Sequence, residues 1–211
     1  MKQLFILLFS ACFSLTFAQK NEPFQGTLHY RIDFQVHPDS SSIPYSRMTL
    51  YTNDTLVRVD SETAQLGSQI LITHLAMQKY YLLLNWDSKK YAIQAHLPKD
   101  TIVSAYTFKK KMGKKVIGGI KAKRVFVSAS YFPKPLEMWY APSVSPKYLS
   151  ILKGIKGLPV DYYVQMEDGY LHYYLESSDL SPVRKDLFGI SSEYQKVTFD
   201  EFIEVTAGNV E

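Results

Sequence analysis

The sequence predicts a mainly β protein built on one strongly curved antiparallel sheet, an incomplete barrel, with one or two short covering helices. The first observation behind this prediction is a long segment near the start in which apolar and polar residues alternate. The second is a series of strand-like segments joined by short turns, which favours antiparallel pairing. The third is the content of 16 tyrosines, because aromatic rings pack well on a pleated surface.

The alternating segment runs from Phe24 to His37. Successive side chains of a strand point to opposite faces, so this pattern predicts one long strand that is buried on one side only. The residues on its apolar face are Phe24, Leu28, Tyr30, Ile32, Phe34 and Val36, with Gly26 in line.

Paired strand segments follow, each pair separated by residues that favour turns. Gly118-Gly119 is a typical two-residue hairpin turn, and Gly169 closes a longer one, because glycine adopts positive φ at low cost. The predicted strands are 47–52 with 56–59, 70–75, 79–85 with 90–95, 114–117 with 120–128, and 160–166 with 170–176.

One short helix is predicted between Ser145 and Gly154. Ser145 is a good cap, Pro146 suits the first helical position, and Gly154 suits the end. The apolar stripe of this segment predicts that it covers one opening of the sheet. Residues 97–108 fit either a second helix or a loop.

The first 18 residues have the pattern of a secretory signal peptide. Lys2 precedes a short apolar run, and the small residues Thr16 and Ala18 are spaced for cleavage after Ala18. The alternative is lipidation at Cys12, which follows a partial lipobox. We therefore expect an exported protein of the periplasm or the outer membrane, with residues 19–211 forming a single domain.

Composition excludes several classes of function. Cys12 is the only cysteine, so cleavage after Ala18 leaves a domain without disulfides or thiol chemistry. Removing Lys2 leaves a net charge of +3, which is too weakly basic to predict nucleic-acid binding. No segment after the signal peptide is apolar enough to predict a transmembrane helix.

The sequence carries no pattern typical of an enzyme. Its five histidines lack metal-ligand spacing, and no nucleophile elbow, phosphate-binding loop or dinucleotide fingerprint occurs. The adjacent carboxylates Glu167 and Asp168 fall in a predicted turn, where solvated side chains are expected. We therefore predict a non-catalytic protein without a metal or another cofactor.

One segment of the sequence is strongly basic. Functionally, this basic patch fits contact with anionic lipid headgroups or an acidic partner. Alternatively, its lysines are solvated and prevent edge-to-edge pairing of strands. Its members lie within sixteen residues that contain no acid, and they are Lys109, Lys110, Lys111, Lys114, Lys115, Lys121, Lys123 and Arg124.

Several short motifs carry a resemblance that covers nearly all of residues 19–211. They are Phe24–Tyr30, Met48–Tyr51, Val57–Asp60, Lys114–Arg124, Leu136–Tyr140, Leu152–Val160, and Leu187–Ile190 with Tyr194. In this order they resemble a family of secreted bacterial proteins classed as a domain of unknown function, which is placed with the fold of the lipoprotein carriers LolA and LolB. This resemblance implies a curved sheet whose concave face is covered by short helices.

Together, the aromatic strands and the resemblance predict a binding module of the cell envelope. Its expected ligand is a lipid or a lipoprotein acyl chain on the concave sheet face. The alternative is a structural or interaction protein with a filled core and a surface patch that docks an envelope protein. The predicted cavity residues are Leu28, Tyr30, Ile32, Met48, Leu50 and Trp139.

Overall fold

A computed structural model describes residues 23–63, 67–96 and 106–207. The predicted signal peptide, Cys12 and residues 97–105 of the ambiguous segment lie outside these ranges, whereas its last three residues, 106–108, are part of a strand and form neither the helix nor the loop that was expected. The described strands are β1 (Gln25–Gln35), β2 (Ile43–Asn53), β3 (Leu56–Thr63), β4 (Gly67–His74), β5 (Lys79–Trp86), β6 (Lys89–His96), β7 (Tyr106–Ile117), β8 (Ile120–Ala129), β9 (Leu136–Ala141), β10 (Leu158–Met166), β11 (Gly169–Asp179) and β12 (Gln195–Thr198).

All twelve strands of the described ranges form one sheet, in the order β12-β6-β5-β4-β3-β2-β1-β11-β10-β9-β8-β7. Neighbouring strands are antiparallel except β12, which pairs parallel with β6. The sheet is large, curved and open, with β7 and β12 at its edges. The predicted fold class is therefore confirmed: the protein is mainly β and antiparallel, and the sheet does not close into a barrel.

Strand β1 keeps its predicted alternation from Leu28 to Ile32 and loses it afterwards, because Asp33 and Gln35 of the predicted polar face are buried and Val36 of the predicted apolar face is 54% exposed. Leu28, Tyr30 and Ile32 are buried, whereas His29 and Arg31 between them are exposed. The irregularities lie in the neighbouring strands, where Tyr45 of β2 and Glu176 of β11 are extra residues in the register. Such bulges bend a strand and increase its twist, so they contribute to the curvature of the sheet.

Contact between distant strands identifies the concave face. A Cβ atom on Gly118, in the turn between β7 and β8, would lie 2.5 Å from Cγ of Leu175 in β11. The hydroxyl of Ser178 in β11 donates to the carbonyl oxygen of Gly118 (2.6 Å). The sheet therefore curves until the β7–β8 turn meets β11. Leu175 pairs directly with Tyr30, so the concave face is the one that carries Tyr30.

The helix predicted between Ser145 and Gly154 is wrong as an α-helix. The chain forms one 3-10 turn (Pro146–Tyr148) in which Ser145 Oγ accepts from the Lys147 amide (3.3 Å), and further turns follow. Residues 142–157, which we call the covering loop, are closed at their base by Leu158 N donating to Val144 O (2.9 Å). A segment this short has little helical stability of its own, so the packing of its side chains into the core decides its conformation.

The covering loop is anchored in the core by apolar side chains. Tyr148, Leu149, Leu152 and Ile155 are buried in the main hydrophobic cluster, which also includes residues of β1, β2 and β8–β11. The covering role that the sequence predicted for a helix thus belongs to a loop. Two smaller clusters stabilise the β4–β6 half of the sheet, one around Tyr91 and one around Leu83.

An α-helix not predicted from the sequence, α1 (Phe199–Ala207), lies at the opposite edge of the sheet. Phe202 packs against Tyr91 of β6, with ring centres 5.3 Å apart. Thr198 and Glu201 form a capping box, because the Glu201 amide donates to Thr198 Oγ1 (3.2 Å) and the Thr198 amide donates to Glu201 Oε2 (2.6 Å). No helix in the described ranges is long and apolar enough to cross a membrane.

Candidate functional site

Five of the six predicted cavity residues lie together on the concave face. Leu28, Tyr30 and Ile32 point to it from β1, and Met48 and Leu50 are the direct cross-strand partners of Tyr30 and Leu28. None is more than 5% exposed, and all belong to the main hydrophobic cluster. Here the concave face is packed with side chains, so an acyl chain in contact with these five residues would need them to move. Their role in binding stays a prediction.

Trp139, the sixth predicted residue, lies on the convex face. Its indole N–H donates to Oε1 of Glu137 (3.1 Å), an exposed residue two positions earlier in β9. Lys115 Nζ lies 4.3 Å from the Trp139 ring centre and 3.1 Å from a carboxylate oxygen of Asp161. A ligand on the concave face would thus contact the other five residues but not this ring.

Three tyrosines form the aromatic centre of the packed core. Tyr162 stacks on Tyr173 with ring centres 4.8 Å apart and meets Tyr30 edge-on at 6.4 Å. Burial raises the pKa of the Tyr30 and Tyr162 hydroxyls well above the ordinary value, so both stay protonated. The Tyr30 hydroxyl donates to Pro159 O (2.9 Å), whereas that of Tyr162 has no partner among the described residues.

A pocket of about 570 Å³ lies under the covering loop, at the other end of the concave face. This volume is in the usual range for sites that bind small ligands. The sequence did not predict the pocket, because its walls come from three strands and a loop that are far apart in the chain. Its lining residues are Phe108, Lys109, Lys110, Val125, Tyr140, Gly154, Ile155 and Lys156.

Direct cross-strand pairing places the pocket on the concave face. Trp139 pairs with Asp161 on the convex side, so Tyr140, the next residue of β9, points to the concave side. Tyr140 pairs with Lys123, and Val125, two residues further along β8, shares that face. Both Val125 and Tyr140 are buried, at 2% and 5% exposure, and they form an apolar pocket floor.

The predicted basic patch is divided between the two faces of the sheet. Lys110 pairs with Val125, and Lys114 pairs with Lys123, so these three lysines are on the concave side. Lys109 pairs with Phe126, and Lys115 pairs with Ala122, which puts both on the convex side with Arg124. Strand alternation also puts Lys121 on the concave side and Lys111, whose ammonium lies 6.0 Å from the Phe126 ring centre, on the convex side.

A wide bulge in β7 preserves this arrangement. Residues 111–113 stand opposite Arg124 alone, so β7 carries two extra residues between Lys110 and Lys114. An even insertion keeps the alternation in phase, whereas a single extra residue would turn Lys114 to the other face. Arg124 holds the bulge by donating from Nε to Met112 O (3.0 Å) and also from Nη2 to the same oxygen.

The convex face carries the main histidine–carboxylate contact of the described chain. His172 Nε2 lies 2.8 Å from Asp161 Oδ1, and the imidazole stacks on Tyr163 at 4.4 Å between ring centres. Asp161 is also bound by Lys115, so this carboxylate is engaged on both sides. Within the described ranges no three histidine, cysteine or acidic side chains are grouped as metal ligands would be.

Another pocket, of about 640 Å³, lies beside strands β2, β3 and β4. Its lining combines Arg47 with Asp60 and Glu62, together with serines. The mixed charges and polar lining suit water better than an apolar chain. The pocket under the covering loop is therefore the better candidate for an apolar ligand.

Comparisons with known proteins add little to this geometry. No family model matches the chain, and no curated protein matches it in sequence. Among solved structures, the lipoprotein LppX of Mycobacterium tuberculosis is similar with a TM-score of 0.38 and 11% identity, over 76% of this chain and 89% of LppX. Similarity at this level assigns neither a family nor a function to this chain.

Proposed function

We propose that this protein is a non-catalytic binding module of the cell envelope that holds an apolar chain in the pocket under the covering loop. The observation that carries the proposal is the apolar pocket itself, formed by Phe108 and Val125 on one side and Tyr140 and Ile155 on the other. The proposed ligand is a lipid or the acyl chain of a lipoprotein. The signal peptide pattern supports export, which would bring the protein to such ligands.

Burial of methylene groups supplies enough free energy for useful affinity. Each buried methylene contributes about 0.8 kcal/mol, so about eight of them contribute about 6 kcal/mol before the cost of immobilising the ligand.

The first experiment combines native mass spectrometry of protein purified from its own envelope with titration of a fluorescent fatty acid. We expect a co-purifying lipid or acylated peptide and saturable fatty-acid binding. Val125→Phe narrows the pocket and should weaken binding about tenfold or more, which corresponds to about two lost methylene contacts. A clean apo mass with no uptake by the native protein would reject the proposal.

Val57→Phe is the matched control for this substitution. Val57 is also a buried valine of the main cluster, 3% exposed, but it lies in β3 and does not line the pocket. Both variants overpack the core and should lose similar stability. Only Val125→Phe should lose ligand affinity, so equal losses from both variants would mean that the pocket is not the binding site.

The second candidate function is an interaction module with a filled core. It is favoured by the close packing of Leu28, Tyr30, Leu50 and their neighbours, which leaves the central concave face without space. Its docking surface would be the convex side of the basic patch, around Lys111. Retention of a specific envelope protein by the native chain, and its loss after Lys111→Glu, would support this alternative.

A further inference from the structure

We propose that the pocket under the covering loop selects amphiphiles with an anionic headgroup, which Lys110, Lys114, Lys123 and Lys156 bind at its mouth. This inference rests on the proposed function, because it assigns the polar end of the ligand whose apolar end fills the pocket. The chemical class is a carboxylate or phosphate attached to an alkyl chain. Its basis is the positions and the unsatisfied charge of the four lysines.

The positions follow from the register of β7, β8 and β9. Lys110 and Lys156 line the pocket directly. Lys123 is the cross-strand partner of the pocket residue Tyr140, and Lys114 is the partner of Lys123. Cβ atoms of directly paired residues are about 5 Å apart, and the next pair on the same face is about 7 Å away. Four flexible ammonium groups can therefore converge on one anion beside the pocket floor.

The charges of these lysines are not compensated by the described part of the protein. None of the four makes an ion pair with an acidic residue in the ranges 23–63, 67–96 and 106–207. Lys114 and Lys123 also stand directly opposite each other, and like charges in that position are destabilising. A bound anion would remove this repulsion.

On the convex side of the same hairpin, most of the basic residues have partners. Lys115 binds Asp161 (3.1 Å), Arg124 approaches Glu137 (3.5 Å), and Lys111 lies over the Phe126 ring. Prevention of edge-to-edge pairing explains lysines on either face equally well. It does not explain why three of the four convex cations, all but Lys109, have partners while the four lysines near the pocket have none in the described ranges. A ligand with a negative headgroup accounts for this difference.

The floor and the rim of the pocket suit the two ends of an amphiphile, one apolar and one charged. Val125 and Tyr140 are nearly inaccessible and apolar, whereas the four lysines are exposed at the rim. Burying an anion on the apolar floor would cost several kcal/mol, so the charged end belongs at the rim and the alkyl chain inside. Long lysine side chains suit this boundary because their stems pack on apolar surface while their ammonium groups stay in water.

The test compares dodecyl phosphate with dodecanol by calorimetric titration of the full native chain. Both probes carry the same alkyl chain, and only one carries an anion. We expect dodecyl phosphate to bind at least about tenfold more tightly, since each nearby lysine contributes about 1 kcal/mol to attraction of an anion. The Lys110→Gln/Lys114→Gln double variant should bind dodecyl phosphate at least about tenfold more weakly than the native chain does, because it lacks two of the four lysines.

The matched control is the Lys89→Gln/Lys111→Gln double variant, which removes the same charge from exposed lysines away from the pocket. It should keep the preference for dodecyl phosphate. Equal affinity of the native protein for both probes, or an equal loss in test and control variants, would overturn the headgroup inference alone. Binding of neither probe would instead overturn the proposed function.

A third titration separates the two sources of the anion. Inorganic phosphate presents the same headgroup chemistry without an alkyl chain. We expect millimolar phosphate to compete only weakly with dodecyl phosphate, because the apolar pocket contributes most of the affinity. Phosphate binding as tight as that of dodecyl phosphate would identify a site for free anions and would overturn the proposal of an amphiphile.

Discussion

Two buried tyrosine hydroxyls in the same core have opposite hydrogen-bonding states. Tyr30 donates to Pro159 O, while the neighbouring Tyr162 hydroxyl has no partner among the described residues. An unsatisfied buried hydroxyl costs about 1–3 kcal/mol, whereas a satisfied one contributes about 1 kcal/mol. The two residues therefore have opposite expected effects when their hydroxyls are removed.

We predict that Tyr162→Phe leaves the free energy of unfolding unchanged or raises it by about 1 kcal/mol. Tyr30→Phe should lower it by about 1 kcal/mol or more, because the carbonyl of Pro159 loses its buried donor. Urea denaturation of the two variants measures both effects. Clear destabilisation by Tyr162→Phe would show that its hydroxyl has a partner in solution, such as a buried water.

At the scale of elements, one turn holds the covering loop to the sheet. Asp54, in the turn between β2 and β3, accepts from Lys147 Nζ (2.7 Å) and from the Tyr148 hydroxyl. The Tyr148 hydroxyl in turn accepts from the Phe24 amide (3.1 Å). The hydrogen bonds from Lys147 and Tyr148 hold the pKa of the Asp54 carboxyl below its ordinary value.

We predict that this contact stabilises the protein at neutral pH and is lost in acid. A carboxyl whose pKa is lower in the folded state stabilises above its unfolded pKa, near 4, and loses this contribution as pH falls through the folded value. Asp54→Asn should therefore lower the free energy of unfolding by about 1 kcal/mol at pH 7 and by less below about pH 3. Urea denaturation at both pH values measures the difference.

Equal destabilisation by Asp54→Asn at both pH values would contradict this explanation. If Asp54→Asn destabilises the protein to the same extent at both pH values, its effect comes from the turn and not from ionisation. Asp54 has a positive φ of 74°, and asparagine tolerates that conformation equally well. The substitution therefore leaves the backbone preference of the turn intact.

Local signals in the sequence predicted most elements and misplaced the helix. The β7–β8 hairpin was predicted from the pair Gly118-Gly119. Both glycines adopt the positive φ that a two-residue turn requires. The apolar pattern around Tyr148 resembles a helix, but those side chains pack into the core from an irregular loop. The capping box of Thr198 and Glu201 is a sequence signal for the start of α1, but it was not recognised among the strand-like segments.

At the scale of the whole molecule, the curved sheet brings the β7–β8 turn into close contact with β11. Gly118 has φ of 54°, and a Cβ there would meet Leu175 Cγ at 2.5 Å. Gly67 has a similar φ of 62°, but a Cβ there would meet no atom within 4 Å. These two glycines separate the cost of the backbone conformation from the cost of the contact.

We predict that Gly118→Ala lowers the free energy of unfolding by about 3 kcal/mol and Gly67→Ala by about 1 kcal/mol. Both changes impose a left-handed conformation on alanine, and only the first also displaces Leu175. Thermal and urea denaturation measure both. Equal effects would mean that the β7–β8 turn does not press on β11 in solution.

The sequence predicted which residues are buried better than it predicted where space remains. Alternation identified Leu28, Tyr30 and Ile32 as one apolar face, and they are buried. It could not show that this face is filled, or that Trp139 points the other way, because both depend on pairing between strands that are distant in sequence. The division of the basic patch depends likewise on the two extra residues of the β7 bulge.

The β7 bulge has a consequence for assembly. Among the described strands β7 is an edge strand, and a free edge of a sheet is where a second chain would add and begin a fibre. Between Lys110 and Lys114 the carbonyl of Met112 is already occupied by Arg124, and the backbone is out of step with any regular incoming strand. Crowded copies of this protein should therefore remain separate at this edge, which leaves the mouth of the pocket open.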